Sequence, residues 1–246
     1  MDITEIGEKF DKAKGIIITW FSILTRGPGA FKQIELEKSS TLFYALKFML
    51  YMAFVDVLLH IPTAAKGGAT IGKVFSEPLL VAETYIEYLM TGFILYGSMK
   101  ILGGKGSLQP CIAAYCFLSA YLPIVSFFML PTQTLIIPGI AKSAEPLVVI
   151  RGIFDQRHQL STWELSGFLL SFLLTTPVFV VFFTGVFRVF RMLHELGRTR
   201  AVLAFILGLI CSVLILAFFL EPFLSRIFQT GVPAWILLMA QQMAHR

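Results

Sequence analysis

Charge is scarce in this chain. Of 246 residues only 14 % are Asp, Glu, Lys or Arg, while 57 % are hydrophobic; a soluble domain carries roughly 25 % charged residues. That shortage excludes an ordinary water-soluble globule. Cysteine is scarce too. Cys111, Cys116 and Cys211 all fall in apolar stretches, without the ligand spacing of a zinc site or the density of a disulfide scaffold, and read as small packing residues. No Ser/His/Asp or Cys/His arrangement of the hydrolytic kind is present. Gly103-Gly104-Lys105-Gly106 lacks the upstream glycine spacing of a phosphate loop and reads as a tight basic turn with no further role. His158 and His194 read as lone, exposed side chains. A basic leader followed by an apolar core is missing as well, because Asp2, Glu5, Glu8 and Asp11 are mixed with Lys9, Lys12 and Lys14.

What the chain has in abundance is long apolar runs. Mean hydropathy is +0.79, and 24 phenylalanines suit a lipid-facing surface. Runs near 42–61, 79–102, 109–130, 166–187 and 201–220 each approach the roughly 20 residues that cross a bilayer. The expected fold is an all-α polytopic transmembrane helix bundle of about five spans. Residues 42–221 form the bundle, 1–41 a cytoplasmic amphipathic, interfacial segment, and 222–246 a carboxy-terminal tail.

The amino-terminal segment reads as an interfacial helix over 3–24. Ile3, Ile6, Phe10, Ala13, Ile17 and Phe21 recur at spacings of three and four, with Trp20 at the membrane boundary. Arg26-Gly27-Pro28-Gly29 ends it. Pro62 is expected to close the first span, leaving 63–78 as a turn-rich connection. Residues 131–165 make the longest polar excursion, with room for a short surface helix at 147–154. Gly231 and Pro233 break the tail too much for a clear sixth span. Counting Lys and Arg in the connections gives twelve on the amino-terminal side and seven on the other. The positive-inside rule then places the amino terminus in the cytoplasm and the carboxy terminus outside. The net charge of +5 records this topology and attraction to anionic lipid rather than nucleic-acid binding.

The awkward chemistry lies in the first two spans. Asp56 and His60 are four apart on one helix, and Glu83 and Glu87 four apart on the next, so each pair shares a face. Ionisable groups inside a membrane usually face protein or a water-filled cavity. These four side chains are the candidate site for a divalent metal ion, such as manganese, iron or zinc, or for protons. Alternatively they bond one another or water and fix helix register. No other cofactor is indicated. Lys47 is too far from Asp56 to pair and is expected to snorkel to the headgroups. Pro123 and Pro177 are expected to kink the third and fourth spans. Arg188, Arg191, Arg198 and Arg200 read as a compact basic connection contacting lipid headgroups.

At the third span the stretch Leu102-Gly-Gly-Lys-Gly-Ser-Leu-Gln-Pro-Cys-Ile-Ala-Ala-Tyr-Cys-Phe-Leu-Ser-Ala-Tyr-Leu-Pro123 resembles the Yip-domain family, the Ypt/Rab-interacting membrane proteins. That family has a Gly-Gly-Lys-Gly-Ser-like turn followed by an apolar stretch with Gly-Tyr and a Leu-Pro pair. Leu24-Thr-Arg-Gly-Pro-Gly-Ala-Phe-Lys-Gln-Ile34 is similar to the family's Pro-x-x-x-Phe segment. The resemblance spans roughly residues 18–220. It implies five spans with a cytoplasmic amino terminus. Eukaryotic relatives act in Golgi and endoplasmic-reticulum membranes with Rab GTPases and with each other. Ala114 stands where Gly usually precedes the Tyr, and no long cytosolic extension with an Asp-Leu-x-Gly-Pro-like element is found. Those departures point to a bacterial-type member.

The expected function is that of a non-enzymatic integral membrane protein, a subunit, adaptor or organiser in a bacterial inner membrane. Its expected partners are membrane lipids and other proteins or further copies of itself, with no nucleic acid. The alternative is a small transporter or channel for protons or a divalent metal, using the acidic layer of the first two spans.

Overall fold

The computed structural model describes residues 3–26, 30–31, 36, 39–66, 71–135 and 162–220. The expectations for a surface helix at 147–154 and for the tail 222–246 lie outside the described residues. Among the described residues there is no strand. The helices are α1 (Ile3–Arg26), α2 (Ser39–Lys66), α3 (Ile71–Ile101), α4 (Leu108–Leu118), α5 (Leu122–Leu135), α6 (Thr162–His194) and α7 (Arg198–Ile215). A 3₁₀ turn, Ser119–Tyr121, joins α4 to α5, and a π-helical turn, Leu216–Leu220, ends α7.

Among the described residues four stretches are long and apolar enough to cross a membrane: Ser40–His60, Leu108–Leu130, Leu169–His194 and Arg198–Phe219. The chain is therefore an integral membrane protein built as an all-α bundle. α3 is the fifth long helix. Its 31 residues span about 46 Å at 1.5 Å each, more than the roughly 30 Å of a hydrocarbon core. Glu83, Glu87 and Lys100 dilute its apolar character, and it lies packed against α2, α4 and α7.

The bundle is built around α4. Every residue from Pro110 to Tyr121 is buried, and 67 % of an apolar 18-residue stretch within 108–130 is buried, against 17 % of one within 198–219. Cys111, Ala113, Ala114 and Cys116 are fully enclosed, their small side chains letting α2, α3 and α6 close around the axis. The buried aromatics fill the remaining space: Phe117 meets Phe31, Tyr44 and Phe48 at centroid distances of 6.4, 6.0 and 5.6 Å. Tyr88 stacks on Tyr115 at 4.3 Å and donates its hydroxyl hydrogen to the Tyr115 carbonyl at 2.6 Å. α7 is outermost. It turns Ala201, Ala204, Gly208 and Ser212 inward and leaves Leu203, Ile206, Ile210 and Val213 exposed, as lipid contact requires. Gly208 sets the approach to α3, since a Cβ there would lie 2.6 Å from Ser98 Oγ and 2.7 Å from Leu95 Cδ2.

The two prolines expected as kinks behave differently. Pro123 cannot donate a backbone hydrogen bond. The Ser119 carbonyl, which a regular helix would pair with residue 123, is instead bonded by the Leu122 N–H, and the chain tightens into the 3₁₀ turn. Pro177 lies inside α6, which continues unbroken. There Thr175 and Thr176 donate to the carbonyls of Ser171 and Phe172, at 2.5 and 2.7 Å.

Helix boundaries depart from the sequence expectation in one direction. α2 runs through Pro62 to Lys66, and α3 begins at Ile71, ahead of Pro78. The connection expected over 63–78 therefore contracts to 67–70. α6 likewise runs on to His194, so Arg188 and Arg191 lie on its last turns and only Glu195–Gly197 connect it to α7. A membrane helix tolerates proline because neighbouring groups and local adjustment re-satisfy the backbone carbonyls it frees.

Candidate functional site

The acidic layer is placed by α2 and α3, and the two helices treat their pairs differently. Asp56 is buried at 3 % exposure. His60, one turn on, brings Nδ1 to 2.8 Å from the Asp56 carbonyl oxygen and to 3.8 Å from its Oδ1. A carbonyl only accepts, so Nδ1 carries the hydrogen in this bond, and 3.8 Å is too long for a second one. Ser126 of α5 hydrogen-bonds the Asp56 carboxylate, and Tyr85 of α3 lies within its electrostatic reach. Tyr85 itself is buried.

Glu83 and Glu87 lie two residues to either side of Tyr85. At about 100° per residue they point to the far side of α3 from Tyr85. Both are partly exposed. Among the described residues no three His, Cys, Asp or Glu side chains converge as a metal site requires. The partners that do reach Asp56, Tyr85 and Ser126, carry no charge pattern and could not be found by spacing.

A second polar arrangement ties the Gly103–Gly106 turn to the end of α6. His194, expected to be exposed, is fully buried. Its Nε2 lies 3.3 Å from Cys111 Sγ, and its ring packs on Phe190 and Tyr96 at 6.3 and 5.4 Å. The glycine turn forms the seat. Gly103 has φ +89°, which glycine adopts without penalty. A Cβ at Gly104 would lie 2.4 Å from His194 Nδ1, and one at Gly106 2.8 Å from the Leu193 carbonyl oxygen. The Lys105 N–H donates to the His194 carbonyl at 3.0 Å. The turn thus has a role that the sequence reading did not give it: it clamps α6 to the α3–α4 junction.

Beside that clamp the bundle end is basic. Lys100, Lys105, Arg188, Arg191, Arg198 and Arg200 are all exposed there, and Lys105 pairs with Glu195 at 3.2 Å across the surface. Arg188, Arg191, Met192, Glu195 and Leu196 line a cleft of about 350 Å³. Arg191 Nε reaches the Leu196 carbonyl at 3.4 Å, which holds the stem of its guanidinium along the cleft wall. Lys47 is exposed on α2, its ammonium 4.6 Å above the Phe43 ring, one turn nearer this end. That is the direction expected of a snorkelling lysine.

α1 is docked on the bundle by two hydrogen bonds to the 3₁₀ turn that precedes Pro123. Trp20 Nε1 donates to the Ala120 carbonyl at 2.9 Å, and the Tyr121 hydroxyl donates to the Ile23 carbonyl at 3.3 Å. Ile16 and Ile23 are buried against the core, while Ile17, Ile18 and Phe21 remain exposed. The expected Ile17/Phe21 stripe therefore faces away from the bundle, and the adjacent stripe of Ile16, Trp20 and Ile23 holds it. Trp20→Phe keeps the ring and removes the donor, at a cost of about 1 kcal/mol. The expected outcome is faster trypsin cleavage after Arg26 with an unchanged melting transition for the bundle, read by limited proteolysis in detergent.

Comparison with protein-family models, with curated proteins and with solved structures finds no match to this chain.

Proposed function

We propose that this chain is a non-enzymatic integral membrane protein of the Yip-domain type, working as a subunit, adaptor or organiser through lipid and protein partners at its basic end. The observation that carries this reading is the Arg188/Arg191 cleft beside the exposed Lys100, Lys105, Arg198 and Arg200. Guanidinium groups on a membrane-level cleft suit phosphate, which they bind through paired N–H donors. The excess of Lys and Arg on this side supports a cytoplasmic orientation for it in a bacterial inner membrane, where anionic headgroups concentrate. The sequence motifs within Leu102–Pro123 and Leu24–Ile34 support the Yip-type reading.

The test is retention of lipid by the purified protein, followed by native mass spectrometry in mild detergent with added phosphatidylglycerol or phosphatidylcholine. Each surface arginine contributes about 1 kcal/mol toward anionic lipid, so Arg188→Ala/Arg191→Ala weakens phosphatidylglycerol retention about 30-fold. Phosphatidylcholine binding stays unchanged. Equal retention of both lipids by wild type would exclude the reading.

A second reading, a small transporter, is favoured by the buried Asp56 carboxylate between α2, α3 and α5. Of the two cargoes, protons and a divalent metal, this donor set suits the proton better. A hard divalent cation takes six or more oxygen ligands, and a softer one would want a third donor beside Asp56 and His60.

A further inference from the structure

Two buried polar atoms in the membrane-spanning part of the bundle face each other's helices without a hydrogen-bond partner among the described residues: Asp56 Oδ1 and the Tyr85 hydroxyl. Their side chains are 3 % and 5 % exposed. A polar atom enclosed this way destabilises the fold if nothing compensates it. Ser126 supplies one bond to the same carboxylate from a third helix. One hydroxyl, from α5, bonds the Asp56 carboxyl group of α2, and a second, from α3, lies within its electrostatic reach. His60 is the link between that group and the membrane surface. It lies one turn further along α2, its side chain is 16 % exposed, and its Nδ1 is 3.8 Å from Oδ1.

We infer that Asp56 is a proton-binding site inside the membrane, loaded from the surface through His60, with Tyr85 and Ser126 holding the carboxyl group as it gains and loses hydrogen. The transfer balances without any other reactant. His60 Nε2 takes a proton from water, Nδ1 passes its own hydrogen to Asp56 Oδ1, and the ring ends neutral with its hydrogen on Nε2. The net change is one proton taken up and one carboxylate neutralised. The ring has to swing by about 1 Å to bring Nδ1 from 3.8 Å into hydrogen-bond range of Oδ1.

The surroundings favour a proton over a metal cation. One carboxylate and two hydroxyls fall short of the six or more oxygens a hard cation takes, whereas a proton needs one acceptor. Tyr85 from α3, Ser126 from α5 and His60 from α2 itself are the groups that act with Asp56. The titratable side chains of α4 are Cys111, Tyr115 and Cys116. They lie toward the other end of α2, because neighbouring Phe117 packs at the level of Tyr44 and Phe48, about 12 Å from Asp56 along the helix. Glu83 and Glu87 point away on the far side of α3. The inference is independent of the lipid-binding reading.

The experiment is infrared difference spectroscopy of the full chain in proteoliposomes as pH is stepped, with and without sodium. One protonated-carboxyl stretch should grow as pH falls, disappear in Asp56→Asn, shift in Tyr85→Phe and ignore sodium. Proton uptake after a pH jump, followed with an external dye, should slow about tenfold or more in His60→Ala. A band that survives in Asp56→Asn, a band displaced by sodium, or an uptake rate unchanged in His60→Ala would each overturn the inference. If Asp56→Asn fails to fold, Tyr85→Phe decides: an unshifted carboxyl band there also overturns it.

Discussion

Gly104→Ala should lower the melting temperature of the purified protein by about 6 °C or more. The new methyl group would sit 2.4 Å from His194 Nδ1 and 2.7 Å from the Met99 carbonyl oxygen. The imidazole is enclosed by Cys111, Phe190 and Tyr96. The carbonyl is main chain and already accepts the Gly104 N–H at 2.9 Å. Neither can give way, so the overpacking falls at or above the usual range of about 1–3 kcal/mol. A chain of this size shifts about 2–4 °C for each kcal/mol. Gly97→Ala is the control. A Cβ there meets nothing within 4 Å, and alanine is favoured over glycine in a helix interior by about 0.5–1 kcal/mol. The expected result is a large drop for one alanine and none, or a small rise, for the other, read by thermal scanning in one detergent. Equal effects would mean that the turn does not seat His194.

Phe117→Ala should destabilise by about 3–5 kcal/mol, the range for truncating a fully enclosed aromatic. Phe117 is 1 % exposed. Its ring is the common neighbour of Phe31, ahead of α2, and of Tyr44 and Phe48 on α2. Removing it opens a cavity where these segments meet the central helix, and little can move in to fill it. Phe172→Ala, at a ring 63 % exposed on the lipid side of α6, should change the transition by under about 0.5 kcal/mol. Thermal or denaturant unfolding of both variants provides the measurement. Similar losses at both positions would contradict the placement of α4 at the centre.

Hydropathy carried most of the fold, because a membrane helix must satisfy its backbone internally and advertises itself by length and apolarity. The runs at 42–61, 109–130, 166–187 and 201–220 correspond to helices α2, α4–α5, α6 and α7. The ends were less legible. Proline was read at Pro62 as a stop and the 63–78 stretch as a loop, yet α2 and α3 continue through Pro62 and Pro78. Local propensity weakens as a guide where the surroundings offer no competing hydrogen bonds. The Arg188–Arg200 stretch showed the same bias, since charge suggested a loop and all of it but Glu195–Gly197 is helix.

The sites were legible only as far as charge reached. Asp56 and His60 stand out because ionisable residues in an apolar run are costly. Glu83 and Glu87 stand out equally, but Tyr85 between them fixes which face of α3 turns inward, and nothing in their spacing reveals that. His194 was invisible for a different reason. Its contacts with Gly104 and Cys111 join residues more than 80 positions apart, and a single histidine after a basic run gives no sign of burial. The docking of α1 was half visible: Trp20 was read as a membrane anchor, and its partner, the Ala120 carbonyl, is exposed to it only because the chain tightens ahead of Pro123.

The proposed orientation turns the basic end of the membrane-spanning bundle toward the cytoplasm, and site-directed thiol labelling tests that most directly. Lys105→Cys marks the α3–α4 turn at the basic end, and Ser166→Cys the opposite end of α6. With a membrane-impermeant maleimide, Lys105→Cys should react in inside-out vesicles and stay protected in right-side-out ones, and Ser166→Cys should do the reverse. Labelling of Lys105→Cys from the outside, or of both positions from the same side, would contradict the account.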